Sequence, residues 1–184
     1  MSQSTVLILP GWQGSGPLHW QMRWVAQHGD VVVEQHDWMR PLRGDWLSRL
    51  DDVLSDLEGP VSLAAHSLGC IQVAAWAAVS AQTHKVKAAL LVAPGDVEAS
   101  NFKDVFSTWQ PIVMNRLPFK SLLVGSQNDP FCTLERAQAF AKAWGSDFLN
   151  LGNKGHVNAD SNLGDWPEGR AMLNSLMKEK EHGH

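Results

Sequence analysis

The chain has 184 residues, enough for one domain that buries roughly 70% of the surface its unfolded form exposes, with no need of a disulfide or metal staple. Its 15 basic and 19 acidic residues are spread along the sequence and leave a formal charge of −4, so no basic stripe exists for a nucleic-acid backbone. Two cysteines, Cys70 and Cys132, match no zinc spacing and fit a reducing compartment. The opening MSQSTVLILPG has neither a basic leader nor a long apolar core, and no apolar run approaches the ~18 residues of a membrane span. These features predict a soluble cytoplasmic protein with no membrane or nucleic-acid partner.

Short β-rich apolar runs alternate with segments of helical period, the pattern of βαβ units on a parallel sheet. The first strand, Thr5–Leu9, leads into LPGWQGSGPLHWQ, and a helix is predicted over Leu18–Gln27. Gly11, Gly14 and Gly16 could cradle a phosphate, which makes a nucleotide-binding module one reading. The spacing G-x-x-G-x-G is not the dinucleotide fingerprint G-x-G-x-x-G, however, and Asp37 is weak support for a ribose partner. A second strand spans Val31–Gln35. Trp46, Leu47, Leu50, Val53, Leu54 and Leu57 then recur at helical spacing until Gly59 and Pro60 stop the segment. Further strands are predicted at Val61–Ala65, Ala88–Ala93, Ser121–Gly125 and Asp147–Leu151, and further helices over Leu68–Ala81, Leu134–Trp144 and Glu168–Lys178. Only Pro94–Lys120 resists assignment; it must carry the crossover helix to the fifth strand, which leaves room for a small lid at most. The tail KEKEHGH reads as a frayed end rather than a metal site. With no repeat or linker, residues 1–184 read as one doubly wound α/β domain, in which ligands gather outside the carboxyl ends of the strands.

One polar residue stands at such an end. In VSLAAHSLGCIQVAAWA, Ser67 occupies the turn between a buried strand and a buried helix, with small residues, Ala65 and Gly69, two positions before and after it. A nucleophile elbow needs those small residues because strand and helix backbones pass close together around a strained serine. Ser67 as a simple helix N-cap is the competing reading. A nucleophilic serine requires a base and an orienting acid, which in hydrolases of this architecture follow in the order serine, acid, histidine. Asp129 follows the fifth predicted strand in QNDPFCT, and His156 follows the sixth in NKGHVNADS. Taken singly, Asp129 could be an Asx-turn residue and His156 an exposed loop histidine. Three residues at the right strand ends in the right order point instead to a triad. His66 adjoins Ser67 but projects differently, and reads as packing or as a donor behind the site. His19, His28, His36 and His84 show no i,i+4 pairing with a carboxylate, so neither a metal nor another cofactor is expected. In a hydrolase the glycine-rich loop would supply one oxyanion amide, at Trp12 or a residue beside it, and Leu68 the other.

PGWQGSGPLHW, AHSLG, GSQNDPF and GHVNADSNLGDWPEG together give nearly the whole chain a likeness. It resembles the small serine hydrolases grouped with retinoblastoma-binding protein 9 and YdeN. The resemblance implies a compact α/β-hydrolase fold, a three-layer α/β/α sandwich whose six parallel strands run in the order 2-1-3-4-5-6, with a triad at Ser67, Asp129 and His156. The expected activity is cleavage of carboxylic esters or related small acyl substrates, with short acyl chains preferred. The alternative is a protein-interaction or ligand-binding module on a hydrolase scaffold. Among nine tryptophans, Trp24, Trp46 and Trp76 fall on helix faces and read as core. Trp12, Trp20, Trp109 and Trp166 lie near predicted active-site loops. Trp109 and Trp166 are the candidate substrate-binding residues, Trp166 equally readable as an anchor for the last helix.

Overall fold

A computed structural model describes residues 4–178. Six parallel strands form one sheet in the order β2-β1-β3-β4-β5-β6. They are β1 (Thr5–Leu9), β2 (Val31–Val32), β3 (Val61–His66), β4 (Val86–Val92), β5 (Lys120–Gly125) and β6 (Asp147–Asn150). The helices are α1 (Trp20–His28), α2 (Arg43–Ser55), α3 (Leu68–Ala77), α4 (Leu134–Trp144) and α5 (Pro167–Lys178). Because strand side chains alternate between faces, two cores result. Leu7, Leu9, Leu63, Leu91 and Leu123 pack under α2, α3 and α4, whereas Val6, Ile8, Leu90, Val92 and Val124 pack under α1 and α5. This is the expected three-layer α/β/α arrangement and strand order.

Several boundaries differ from expectation for identifiable reasons. β2 is an edge strand that pairs only with Leu7 and Ile8; after the Val33 amide donates to the Ile8 carbonyl, the chain leaves the sheet. β4 begins two residues early through a register shift, Val86 opposing Val61 and Ala88 opposing Ser62, and it ends before Ala93, whose φ of 47° turns the chain out. Helix α1 starts at Trp20 because His19 caps it, Nδ1 accepting from the Gln21 amide. Helix α3 stops at Ala77; Ser80 and Gln82 bond to Asp51 of α2 rather than continue the turn. The largest departure is Pro94–Lys120, which holds two 3₁₀ turns, Ser100–Phe102 and Ser107–Trp109, and no α-helix among the described residues. Among these residues no helix is long and apolar enough to cross a membrane. The polar tail beyond Lys178 lies outside them.

Because every pairing is parallel, every strand's carboxyl end comes to one edge of the sheet. Gln21 of α1 braces that edge from within: its side-chain amide, fully buried, donates to the Leu9 and Ala64 carbonyls at 3.1 and 3.0 Å.

Candidate active site

Ser67 follows β3 with φ 56° and ψ −121°, a conformation that L residues rarely adopt and that costs of order 1–3 kcal/mol. Close packing imposes it. A Cβ on Gly69 would sit 2.2 Å from the Leu9 carbonyl oxygen, and one on Gly11 would sit 2.9 Å from Ser67 Cβ. Any larger residue at 69 would therefore push α3 off β1. Ala65, the other small position, is fully buried in the ladder between Leu9 and Leu91. The turn aims Ser67 Oγ away from α3: it makes no capping hydrogen bond and lies 2.9 Å from His156 Nε2. A simple capping role is thereby overturned.

Asp129 and His156 arrive on loops that are laced together. Asn128 Oδ1 accepts from the Gly155 amide at 2.7 Å, while Ser126 Oγ donates to the Gly152 carbonyl and accepts from the Lys154 amide. Asp129 Oδ1 accepts from the Phe131 amide, as an Asx turn would, and both carboxylate oxygens face His156 Nδ1 at 2.9 and 3.0 Å. The turn is thus what orients the acid. Since a carboxylate only accepts, His156 Nδ1 carries the proton and Nε2 offers its lone pair to the Ser67 hydroxyl. The side chains of His156 and Asp129 are only 10% and 2% exposed, so the contact sits in a weakly screening environment.

Two further imidazoles stand beside His156. The His66 ring lies 4.7 Å from that of His156 and 4.6 Å from that of His19. His66 Nε2 donates to the His156 carbonyl at 2.7 Å, and Trp20 Nε1 donates to the next carbonyl, that of Val157, at 2.9 Å. Both hold the histidine loop, whose residues Gly155 and Val157 have positive φ on either side of His156. His66 is a buried donor to the backbone, the second of the two roles expected of it, and its side chain also reaches the cavity lining, as does His19. Burial foremost, then the neighbouring His19 and His156, hold its pKa well below the ordinary imidazole value. Burial and His156 push that of His19 down to about 4. Protonating His19 Nδ1 would also set it against the Gln21 N–H that it accepts.

This has a consequence for stability. Unfolded, His19 takes up a proton near pH 6.5; folded, only near pH 4. Between those values the unfolded state binds more protons, so stability rises with pH and is lost as pH falls from 6.5 toward 4. The shift corresponds to roughly 3 kcal/mol. In urea titrations from pH 7 to 4, His19→Asn, which keeps a capping acceptor, should lose stability less steeply than wild type. Parallel slopes would contradict the assignment.

These groups open into a cavity of about 360 Å³. Its floor is Ser67, Leu68 and His156, and its walls include Gly11, Trp12 and Gly95. A Cβ on Gly95 would lie 3.2 Å from Ser67 Oγ and 3.9 Å from the Leu68 amide, so the glycine keeps open the space between them. Among the described residues, neither the Trp12 nor the Leu68 N–H is donated to a backbone carbonyl outside the helix. Gly95, Phe102, Phe106 and Phe131 also line the cavity and were not expected there. Their only signal in sequence was proximity to the ends of β4 and β5.

The two tryptophans expected at the pocket are elsewhere. Trp109 is 1% exposed, donates Nε1–H to the Pro41 carbonyl at 2.7 Å and packs edge-on against Trp46. Trp166 is 3% exposed; it lies against Trp20 and Trp24, and its ring covers Gly169 of α5 so closely that no Cβ would fit. It anchors the last helix. Both are corrected to core residues, alongside Trp24, Trp46 and Trp76. The glycine-rich loop spends several of its amides on the protein itself rather than on a phosphate. The Gln13, Gly14 and His19 amides donate to the Trp38, Gly11 and Gly16 carbonyls, and Asp37 accepts from the Met39 and Arg40 amides in a turn.

A family profile for serine hydrolases matches residues 6–175. No curated protein sequence matches the chain. Among solved structures, one described as a YdeN-like hydrolase from Pectobacterium atrosepticum shares 27% identity, covering 96% of this chain and 91% of its own, with a TM-score of 0.84. The ydeN gene product of B. subtilis shares 16% identity over 96% of this chain and all of its own, with a TM-score of 0.73. Est1E from Butyrivibrio proteoclasticus shares 15% over 95% and 89%, with a TM-score of 0.69. The last two speak for the fold.

Proposed function

The chain belongs to the serine hydrolase family, and on that premise we propose that it cleaves carboxylic esters or related small acyl compounds through an acyl-enzyme on Ser67. The supporting observation is the hydrogen-bonded run from Ser67 Oγ through His156 to Asp129. His156 takes the hydroxyl proton as Ser67 Oγ bonds to the substrate carbonyl carbon, and the oxyanion forms between the Leu68 and Trp12 amides. Asp129 stabilises the imidazolium. Collapse of the tetrahedral adduct breaks the bond to the alcohol oxygen, which His156 protonates. Water then attacks the acyl carbon with His156 again as base, releasing the acid and restoring Ser67.

A fluorophosphonate probe separates this reading from a binding role on a hydrolase scaffold, because only an activated serine reacts quickly. Rapid labelling of wild type at Ser67 is expected; a folded protein that stays unlabelled would defeat the enzymatic reading. Acyl length offers a second test. The small cavity and the absence of an α-helical lid among the described residues favour short chains, each surplus methylene costing roughly 1–3 kcal/mol where it does not fit. Across p-nitrophenyl esters, kcat/KM should fall from butyrate to laurate, and a steady rise would contradict a small acyl site.

A further inference from the structure

Aromatic rings form an unbroken rim along one side of the cavity. Trp12 meets Phe106 edge-on at 5.4 Å, Phe106 meets Phe102 at 5.9 Å, and Phe102 meets Phe131 at 5.6 Å. Phe131 closes the run on His156, its ring centre 4.6 Å from the imidazole. The rings come from three separate segments, the loop after β1, the 3₁₀ turns of Pro94–Lys120 and the loop after β5. All four line the same cavity.

Phe131 is the instructive member. It is 39% exposed and outside both packed cores, so its ring contributes little to the fold. Its backbone is nonetheless fixed, the amide donating to Asp129 and the carbonyl accepting from the Asp96 amide at 3.0 Å. The loop therefore presents an apolar ring to the cavity beside the imidazole. Among the described residues no lysine or arginine lines the cavity. The carboxylate among these lining residues, Asp96, accepts from the Glu98 amide and faces Arg136 at 3.4 Å. This wall suits an uncharged, flat group rather than an anion.

Chemistry decides which part of the substrate meets it. The departing oxygen must come within hydrogen-bond reach of His156 Nε2 to be protonated, so the group attached to that oxygen lies beside the histidine. Phe131 packs against the imidazole and Phe102 against Phe131, so the rim begins at the histidine, whereas the space between Ser67 Oγ and the Leu68 amide is kept open by Gly95 for the acyl carbonyl. We infer that the aromatic rim is the leaving-group site and that the enzyme prefers esters of planar aromatic alcohols, with Phe131 and Phe102 as its specificity-determining residues. This rests on the hydrolase reading above. Ring pairs of this geometry favour another ring face or edge over a saturated group of equal size.

Benzyl acetate and cyclohexylmethyl acetate test it directly. They share the acyl group and the carbon skeleton of the alcohol, and differ in whether the six-membered ring is flat. Wild type should show a kcat/KM about 5-fold higher for benzyl acetate, and Phe131→Leu should bring the ratio to within about 2-fold, Phe102→Leu acting in the same direction. A wild-type ratio of one or below overturns the proposal, as does a preference that survives both substitutions. A preference for flat rings found instead between vinyl benzoate and vinyl cyclohexanecarboxylate, and absent from the alcohol pair, places the ring on the acyl side and overturns it too. If neither acetate is hydrolysed the proposal falls, and fluorophosphonate labelling then decides separately whether the hydrolase reading falls with it.

Discussion

Ser67→Ala should yield a folded protein whose turnover of p-nitrophenyl acetate is lower by at least about 10³-fold, with fluorophosphonate labelling abolished. The size of the loss follows from the role proposed for Oγ: without it no acyl-enzyme forms, and the amides of Trp12 and Leu68 polarise a carbonyl that has no protein nucleophile beside it. The fold should be spared. Ser67 makes no capping bond to α3, so the helix loses no partner, and alanine at φ 56° carries much the same strain as serine. A simple N-cap would behave in the opposite way, costing about 1 kcal/mol of stability and leaving labelling intact. His156→Ala should lose a similar factor, and the double variant should be little slower than either single one, because the two groups act as a unit. Near wild-type turnover by Ser67→Ala, with the melting temperature unchanged, would place the nucleophile elsewhere.

Asp129→Asn should lower kcat by roughly 10³- to 10⁴-fold while the protein stays folded. An asparagine can still accept the Phe131 amide through its carbonyl oxygen, so the turn survives. Its NH₂ group then replaces Oδ2 at 3.0 Å from His156 Nδ1, beside the retained Oδ1 at 2.9 Å, so a donor now stands where the wild-type carboxylate offered a second acceptor. Two donors facing each other at 3.0 Å repel, and the expected relief is a shift of the imidazole proton to Nε2. The ring is left without a lone pair for the Ser67 hydroxyl and without a charge to stabilise the imidazolium. Circular dichroism checks the fold and steady-state kinetics the loss. A fall of less than about tenfold would mean that another group orients the histidine.

What the sequence determined by itself were features set by local chemistry and chain order. Helix α4 was legible to the residue, because Thr133 caps it through its side chain and Gly145 ends it in the left-handed conformation. The alternation of β-rich and helix-period segments made the sheet parallel, and parallel crossovers send every carboxyl end to one edge. Ser67, Asp129 and His156, each just past a strand, were therefore bound to share a neighbourhood before any distance was known. Gly69 was legible for the same reason, since strand and helix must nearly touch around a turn so tight. Tertiary structure alone decided which aromatic rings face the cavity. Trp109 and Phe106 are only three residues apart in one irregular segment, yet the first is sealed beneath Pro41 and Trp46 while the second lines the pocket. A short irregular segment has no period to separate an inner from an outer face, so which rings are covered depends on elements packed over them from distant parts of the chain. The same holds for His19 and His66: their low proton affinity arises from burial against each other and His156, and sequence separations of 47 and 90 residues carry no trace of that contact.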